Sequence, residues 1–142
     1  MKSPIHFFLA DIRYKLAQRI ALREWIARVV KKERKDVGEI NFIFCSDEYL
    51  LRMNHDHLRH DYYTDVITFD YSSEKEISGE IYISVDRVRD NAKTLGVPIA
   101  NELHRVMIHG VLHLLDYKDK TPADAKRMRA KEDECLDLLN DS

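Results

Sequence analysis

Residues 66–85 read VITFDYSSEKEISGEIYISV, from Val66 to Val85. Val66, Ile67, Thr68 and Phe69 form a β-branched and aromatic run, and Ile81 to Val85 form another. The polar joint between them, Ser72 to Gly79, is short, so the two runs predict a β-hairpin. Upstream, Ile40, Phe42 and Phe44 alternate with Asn41 and Ile43, which predicts a mostly buried strand beyond Gly38. Ile5 to Ala10 predicts a short strand at the start of the chain. Leu22, Trp25, Ile26, Val29 and Val30 fall at helical spacing, which predicts one long amphipathic helix from Tyr14 to Lys35. Ser46 or Asp47 can cap a short helix through Asn54. Residues His55 to Tyr63 read as polar and irregular.

Downstream of the hairpin the period changes to helical. Asp86 to Leu95 reads as a helix stopped at Gly96, and Ile99 to Leu115 as another, with Pro98 near its first turn. Thr121-Pro122-Ala123-Asp124 supplies an N-cap, a proline at the first helical position and an acid at the third. The order is strand, helix, strand, helix, strand, strand and three helices. It predicts an α+β fold: one domain over residues 1–142, with a small mixed sheet of about four strands and helices packed on it.

The 142 residues carry 44% apolar and 34% charged side chains, a globular balance that excludes a disordered chain. Only four glycines and three prolines are present, and nothing resembles a linker. Lys and Arg number 23 against 25 Asp and Glu, for a net charge of −2. That balance excludes a broad cationic coat for nucleic acid. Cys45 and Cys135 form no CxxC pair and no disulfide framework, which suits a reducing compartment. The run Ile5 to Ala10 is too short for a signal-peptide core or a membrane span. Cytoplasmic location without membrane association is therefore expected.

The chemistry concentrates in His109-Gly110-Val111-Leu112-His113. Histidines four apart on a helix differ by roughly 40° around its axis, so both imidazoles project from one face. Asp119, in the turn before the last helix, can fold back toward them. His109, His113 and Asp119 would leave the fourth position of a tetrahedral ion to water. Two imidazoles and a carboxylate suit Zn²⁺ first, with nickel, cobalt or manganese able to substitute. An open position implies hydrolysis by a metal-activated water. The alternative is a pair of hydrogen-bonded core histidines, because the surrounding helix is apolar and unsatisfied imidazoles there are costly. His104, roughly 140° from His109 on the helical wheel, reads as a surface or packing residue. His55, His57 and His60 suit no single helix face.

These residues resemble the YbeY-type endoribonucleases, the rRNA maturation factors. The family pattern is close to HGxLHLxGYDH, with a T-D-V-hydrophobic-[ST]-F strand and a G-[DE]-I strand before it. Here those are His109 to Asp119, Thr64 to Phe69 and Gly79-Glu80-Ile81. Asn54 and Asp61 fall at the family's offsets before Thr64, and the last helix carries Met128 and Glu132 as in the family's ending. The resemblance implies a zinc-dependent, single-strand-specific RNase. Such proteins act in 16S rRNA 3′-end maturation and small-subunit quality control, with ribosomal or assembly-factor partners.

Three positions depart from the family pattern. Asp119 stands where the family has a third histidine ligand. Its charge should make a water on the ion less acidic, so Asp119→His is expected to shift the pH–rate profile downward. An unchanged profile with intact metal content would contradict this. Asp116 replaces the glycine that ends the metal helix, and aspartate is among the few residues that tolerate a left-handed conformation. A family arginine thought to contact the phosphate aligns with Leu58. Its neighbour Arg59 is the catalytic candidate.

For an RNase, Arg59 or Lys118 could offset developing charge, while Asn54, Asp65 and Thr68 could position substrate or the metal ligands. A metalloprotease is the competing enzyme, but such enzymes place a glutamate right after the first histidine, where this chain has Gly110. A non-catalytic assembly factor with a structural zinc is the third reading.

Overall fold

The computed structural model describes residues 3–58 and 64–140. Among the described residues nine elements follow the expected order: β1 (Ile5–Leu9), α1 (Arg19–Lys32), β2 (Asp36–Cys45), α2 (Asp47–Leu58), β3 (Val66–Asp70), β4 (Glu76–Ser84), α3 (Val85–Leu95), α4 (Ile99–Leu114) and α5 (Pro122–Asn140). The strands form one mixed sheet in the order β1-β2-β4-β3. β1, β2 and β4 run parallel, and β3 pairs antiparallel with β4, from Val66 opposite Ile83 to Asp70 opposite Gly79. The hairpin therefore holds, with β4 reaching back to Glu76.

Several boundaries differ from the sequence reading: β2 starts at Asp36, ahead of Gly38, and α1 ends at Lys32 rather than Lys35. Helix α1 starts at Arg19, because Gln18 takes a left-handed conformation (φ 61°). Leu16 and Tyr14 ahead of it are spent on the core, Tyr14 lying 5.9 Å from the Phe44 ring. Helix α2 continues past Asn54 to Leu58, started by the Ser46 hydroxyl, which accepts from the Tyr49 N–H at 3.1 Å.

The main core lies between one face of the sheet and helices α1, α4 and α5. Ile40, Phe42, Phe44, Ile81 and Ile83 meet Trp25, Ile26, Leu103, Met107 and Val111 there. Trp25 donates its indole N–H to the Cys135 carbonyl at 2.7 Å, tying α1 to α5 inside this core. A smaller cluster of Cys45, Leu50 and Ile67, with partly buried neighbours such as Met53 and Phe69, involves α2. Among the described residues no helix is long and apolar enough to cross a membrane.

Helix α4 lies very close to β4. A Cβ on Gly110 would come within 2.7 Å of the Ile81 side chain, so only glycine permits this approach. A glutamate at 110 would be driven into the sheet, away from any catalytic cleft.

The stop of α4 aims the next segment. Asp116 is left-handed (φ 72°), and its N–H reaches the His113 carbonyl while Tyr117 N–H reaches Leu112, both at 3.0 Å. This is a Schellman closure with aspartate in the glycine position. Asp116→Gly is expected to raise stability by about 1 kcal/mol, read as a higher urea midpoint at unchanged m-value.

Candidate metal centre

Both histidines sit in the last turns of α4, on the face that looks past β3. His109 and His113 bring their Nε2 atoms to 3.0 Å of each other. Asp119, in the turn between α4 and α5, places Oδ2 3.3 Å from each. The expected trio thus converges on one point.

The other ring nitrogens fix what those Nε2 atoms offer. His113 Nδ1 lies 3.1 Å from the Tyr117 carbonyl, which can only accept, so the proton sits on Nδ1. His109 Nδ1 donates to Glu132 Oε2 at 2.6 Å. Each Nε2 of a neutral ring then points a lone pair inward, toward a carboxylate oxygen. Three acceptors at this range with no donor require a cation, a metal ion or a proton. Donors about 2.0–2.1 Å from a tetrahedral ion stand about 3.3–3.4 Å apart, so the trio fits a divalent metal and leaves a fourth position.

The electrostatics follow the same partners. Burial opposes charge on His109, but the hydrogen bond and charge of Glu132, then Asp119 and Asp65, raise its pKa above the ordinary imidazole value. Burial and the neighbouring His109 lower that of His113.

Glu132 is the residue that sequence spacing missed as part of the site. It is only 4% exposed and also accepts from Arg105 Nη1 at 2.9 Å. The signal was present: Met128, Glu132 and Cys135 are the buried positions of α5, so a carboxylate occupies the apolar stripe of that helix.

A cleft of about 670 Å³ opens beside the trio, lined by Asn54, Asp65, Thr68 and Lys120 along with His109, His113 and Asp119. Asn54 is buried, and Val66 and Thr68 stand opposite Ile83 and Ile81 of β4. Asp65 caps the hairpin: its carbonyl accepts from Ser84 N–H at 3.0 Å, and its carboxylate from Asn91 at 3.3 Å. Lys118 instead lines a separate hollow with Glu33, Tyr117 and Arg127, so the turn's cation in the cleft is Lys120. His104 packs edge-on against Trp25 at 6.2 Å, as a packing histidine would. His55 is exposed on α2. Arg59, His60 and Asp61 lie outside the described residues, as do the side chains of His57 and Leu58.

Comparison with known proteins places this geometry in a family. The family model described as Endoribonuclease YbeY matches residues 10–140. A protein named Endoribonuclease YbeY from Cytophaga hutchinsonii is 55% identical over 138 residues, 96% of each chain. Proteins of the same name are 51% identical in Flavobacterium psychrophilum (94% of this chain, 95% of that one) and 44% identical in Porphyromonas gingivalis (99% and 93%). A solution structure of a Thermotoga maritima protein superposes with a TM-score of 0.67 at 29% identity, covering 95% of this chain and 88% of that one. With the motif residues, the fold and the length of these matches in agreement, the chain belongs to the YbeY endoribonuclease family.

Proposed function

We propose that this chain is a zinc-dependent endoribonuclease that cuts single-stranded RNA, with a role in 16S rRNA 3′-end maturation and small-subunit quality control in the cytoplasm. The carrying observation is the convergence of His109, His113 and Asp119 on an open cleft, with a 3.0–3.3 Å spacing that suits one tetrahedral ion. This donor set suits zinc, and nickel, cobalt or manganese as substitutes. An ion held there would supply Lewis acidity toward a phosphate oxygen and acidify a water.

The remaining steps belong to the chain. Glu132 and the Tyr117 carbonyl hold both imidazoles in the tautomer that ligation needs. Lys120, with Arg59 as a further candidate, would offset charge on the reacting phosphate, whereas Lys118 lines a separate hollow. Asn54, Asp65 and Thr68 would line the path of the strand. Ribosomal small-subunit components or assembly factors would deliver the RNA, because a net charge of −2 gives little general affinity for it.

Two rival readings have specific obstacles. A peptidase base at position 110 would meet Ile81. A structural zinc is not needed by a main core built from the sheet, α1, α4 and α5. The test is cleavage of matched single-stranded and duplex RNAs before and after chelation, with circular dichroism recorded throughout. Metal-dependent cleavage of the single strand with an unchanged helical signal is expected. Unfolding on chelation, or cleavage that persists, would contradict the proposal.

The raised His109 pKa gives the pH dependence of zinc binding a sign. A proton on Nε2 competes with the ion, and the carboxylates of Glu132, Asp119 and Asp65 favour that proton beyond its hold on a free imidazole. The apparent zinc Kd should stay flat at high pH and weaken about tenfold per unit below a break lying above pH ~6.5. Competition titrations from pH 5.5 to 8.5 would locate that break.

A further inference from the structure

We propose that the cavity between α4 and α5 beside the metal centre is a nucleobase pocket, in which Glu102 reads the amino group of a base next to the scissile phosphate. This rests on the RNA-cleaving reading above. The cavity holds about 380 Å³, at the small end of the range for ligand sites and enough for one heterocycle. Its apolar walls include Val66, Val106 and Met128, and its polar groups include Asp65, Glu102 and Arg129. It shares His109 and Asp119 with the metal centre.

Helix geometry sets the distance. Glu102 is seven residues before His109, hence on the same face of α4 and about 10 Å away along the axis. A nucleotide whose phosphate lies at the ion can reach that far with its base.

Glu102 is the unusual group in this pocket. It is 6% exposed and lines the cavity, and its carboxyl oxygens are not among the buried atoms left without a partner, so the cavity's solvent reaches them. Burial, followed by the charge of Asp65, pushes its pKa up against the pull of Arg105 and Arg129. Partial desolvation of this charge costs stability, and leucine in the same place would avoid that cost. A cation is the poorer occupant, since among the described residues only His109, His113 and Asp119 bring three donors together.

A base would replace cavity solvent with directed donors. Guanine presents N1–H and an amino group side by side, and cytosine and adenine each present an amino group. Uracil presents N3–H between two carbonyls, which a carboxylate repels. The apolar walls would hold either face of the ring.

The test is binding of GMP, CMP, AMP and UMP to the zinc-loaded protein, with inorganic phosphate as the reference probe. At least one amino-bearing nucleotide should bind about tenfold more tightly than UMP. Glu102→Leu should abolish that preference and raise the melting temperature. Ala125→Leu, which changes an exposed wall residue, should weaken all four nucleotides without weakening phosphate. Equal binding of all four to the wild type, or a preference that survives Glu102→Leu, would overturn the pocket. Cleavage of RNAs differing only at the flanking base separates the two readings. Cleavage without base discrimination would remove the pocket and leave the nuclease. Nucleotide discrimination without any cleavage would sustain the base pocket and remove the nuclease.

Discussion

His113→Ala is expected to empty the metal centre and reduce RNA cleavage by about 10³-fold or more. The loss follows from arithmetic: Lewis-acid stabilisation of about 4 kcal/mol corresponds to about 10³ in rate. Removing His113 leaves His109 and Asp119, one imidazole and one carboxylate, too few to hold a tetrahedral ion tightly. The fold should be spared. The His113 side chain is 29% exposed and belongs to neither apolar cluster, so truncation leaves no core cavity. Metal content and cleavage rate measured on one preparation, beside a thermal melt, check all three parts. Cleavage within about tenfold of wild type in a metal-free variant would contradict the assignment.

Glu132→Gln carries the second large effect. The wild-type carboxylate takes the His109 Nδ1 proton at 2.6 Å and is itself held by Arg105 at 2.9 Å. Glutamine keeps the shape but loses the charge, so His109 becomes a weaker base and its ring is less firmly oriented. Zinc affinity should fall about 10–100-fold. A purely structural role could also lower affinity, so the discriminating reading is the pH break of zinc binding. Glu132 is the largest of the influences raising the His109 pKa, and without its charge the break should move to lower pH. A weakened affinity with an unmoved break would assign Glu132 to packing alone.

How much of this was legible in the sequence depends on how local each feature is. The hairpin, the α4 pair and the cap of α5 were readable because their signals lie within a few residues. Thr121 Oγ1 does accept from Asp124 N–H at 3.0 Å. The adjacency of β2 and β4 was not readable, since it arises from packing of segments some 40 residues apart. Helix α1 is shorter than its apolar pattern predicts, because Tyr14 and Leu16 serve the core equally well from extended chain. Helix α2 is longer than its pattern predicts, because its last turn is mostly polar and pattern alone does not separate an exposed helix from a loop.

The site divides the same way. His109 and His113 declare themselves by spacing, and Asp119 by its place in the following turn. Glu132 reaches His109 only because α5 folds back across α4, which no local pattern records. The Tyr117 carbonyl could not be foreseen, because every residue carries one. It reaches His113 only through the left-handed stop at Asp116. Glu102 has the pattern of an ordinary acid in a first helical turn, and only its burial against the cavity sets it apart.

The near-neutral charge also acquires a meaning. It excludes a surface that grips RNA broadly, and the site does not need one, since a single dication and a few neighbouring cations can hold one phosphate. The most direct measurement is therefore the cleavage rate of a single-stranded oligoribonucleotide as zinc is added back to metal-free, folded protein. The rate should rise from near zero and level off at one ion per chain, and the same titration should stay flat for His113→Ala. A rate independent of added zinc, or a variant that matches the wild type, would contradict a catalytic metal centre at His109, His113 and Asp119.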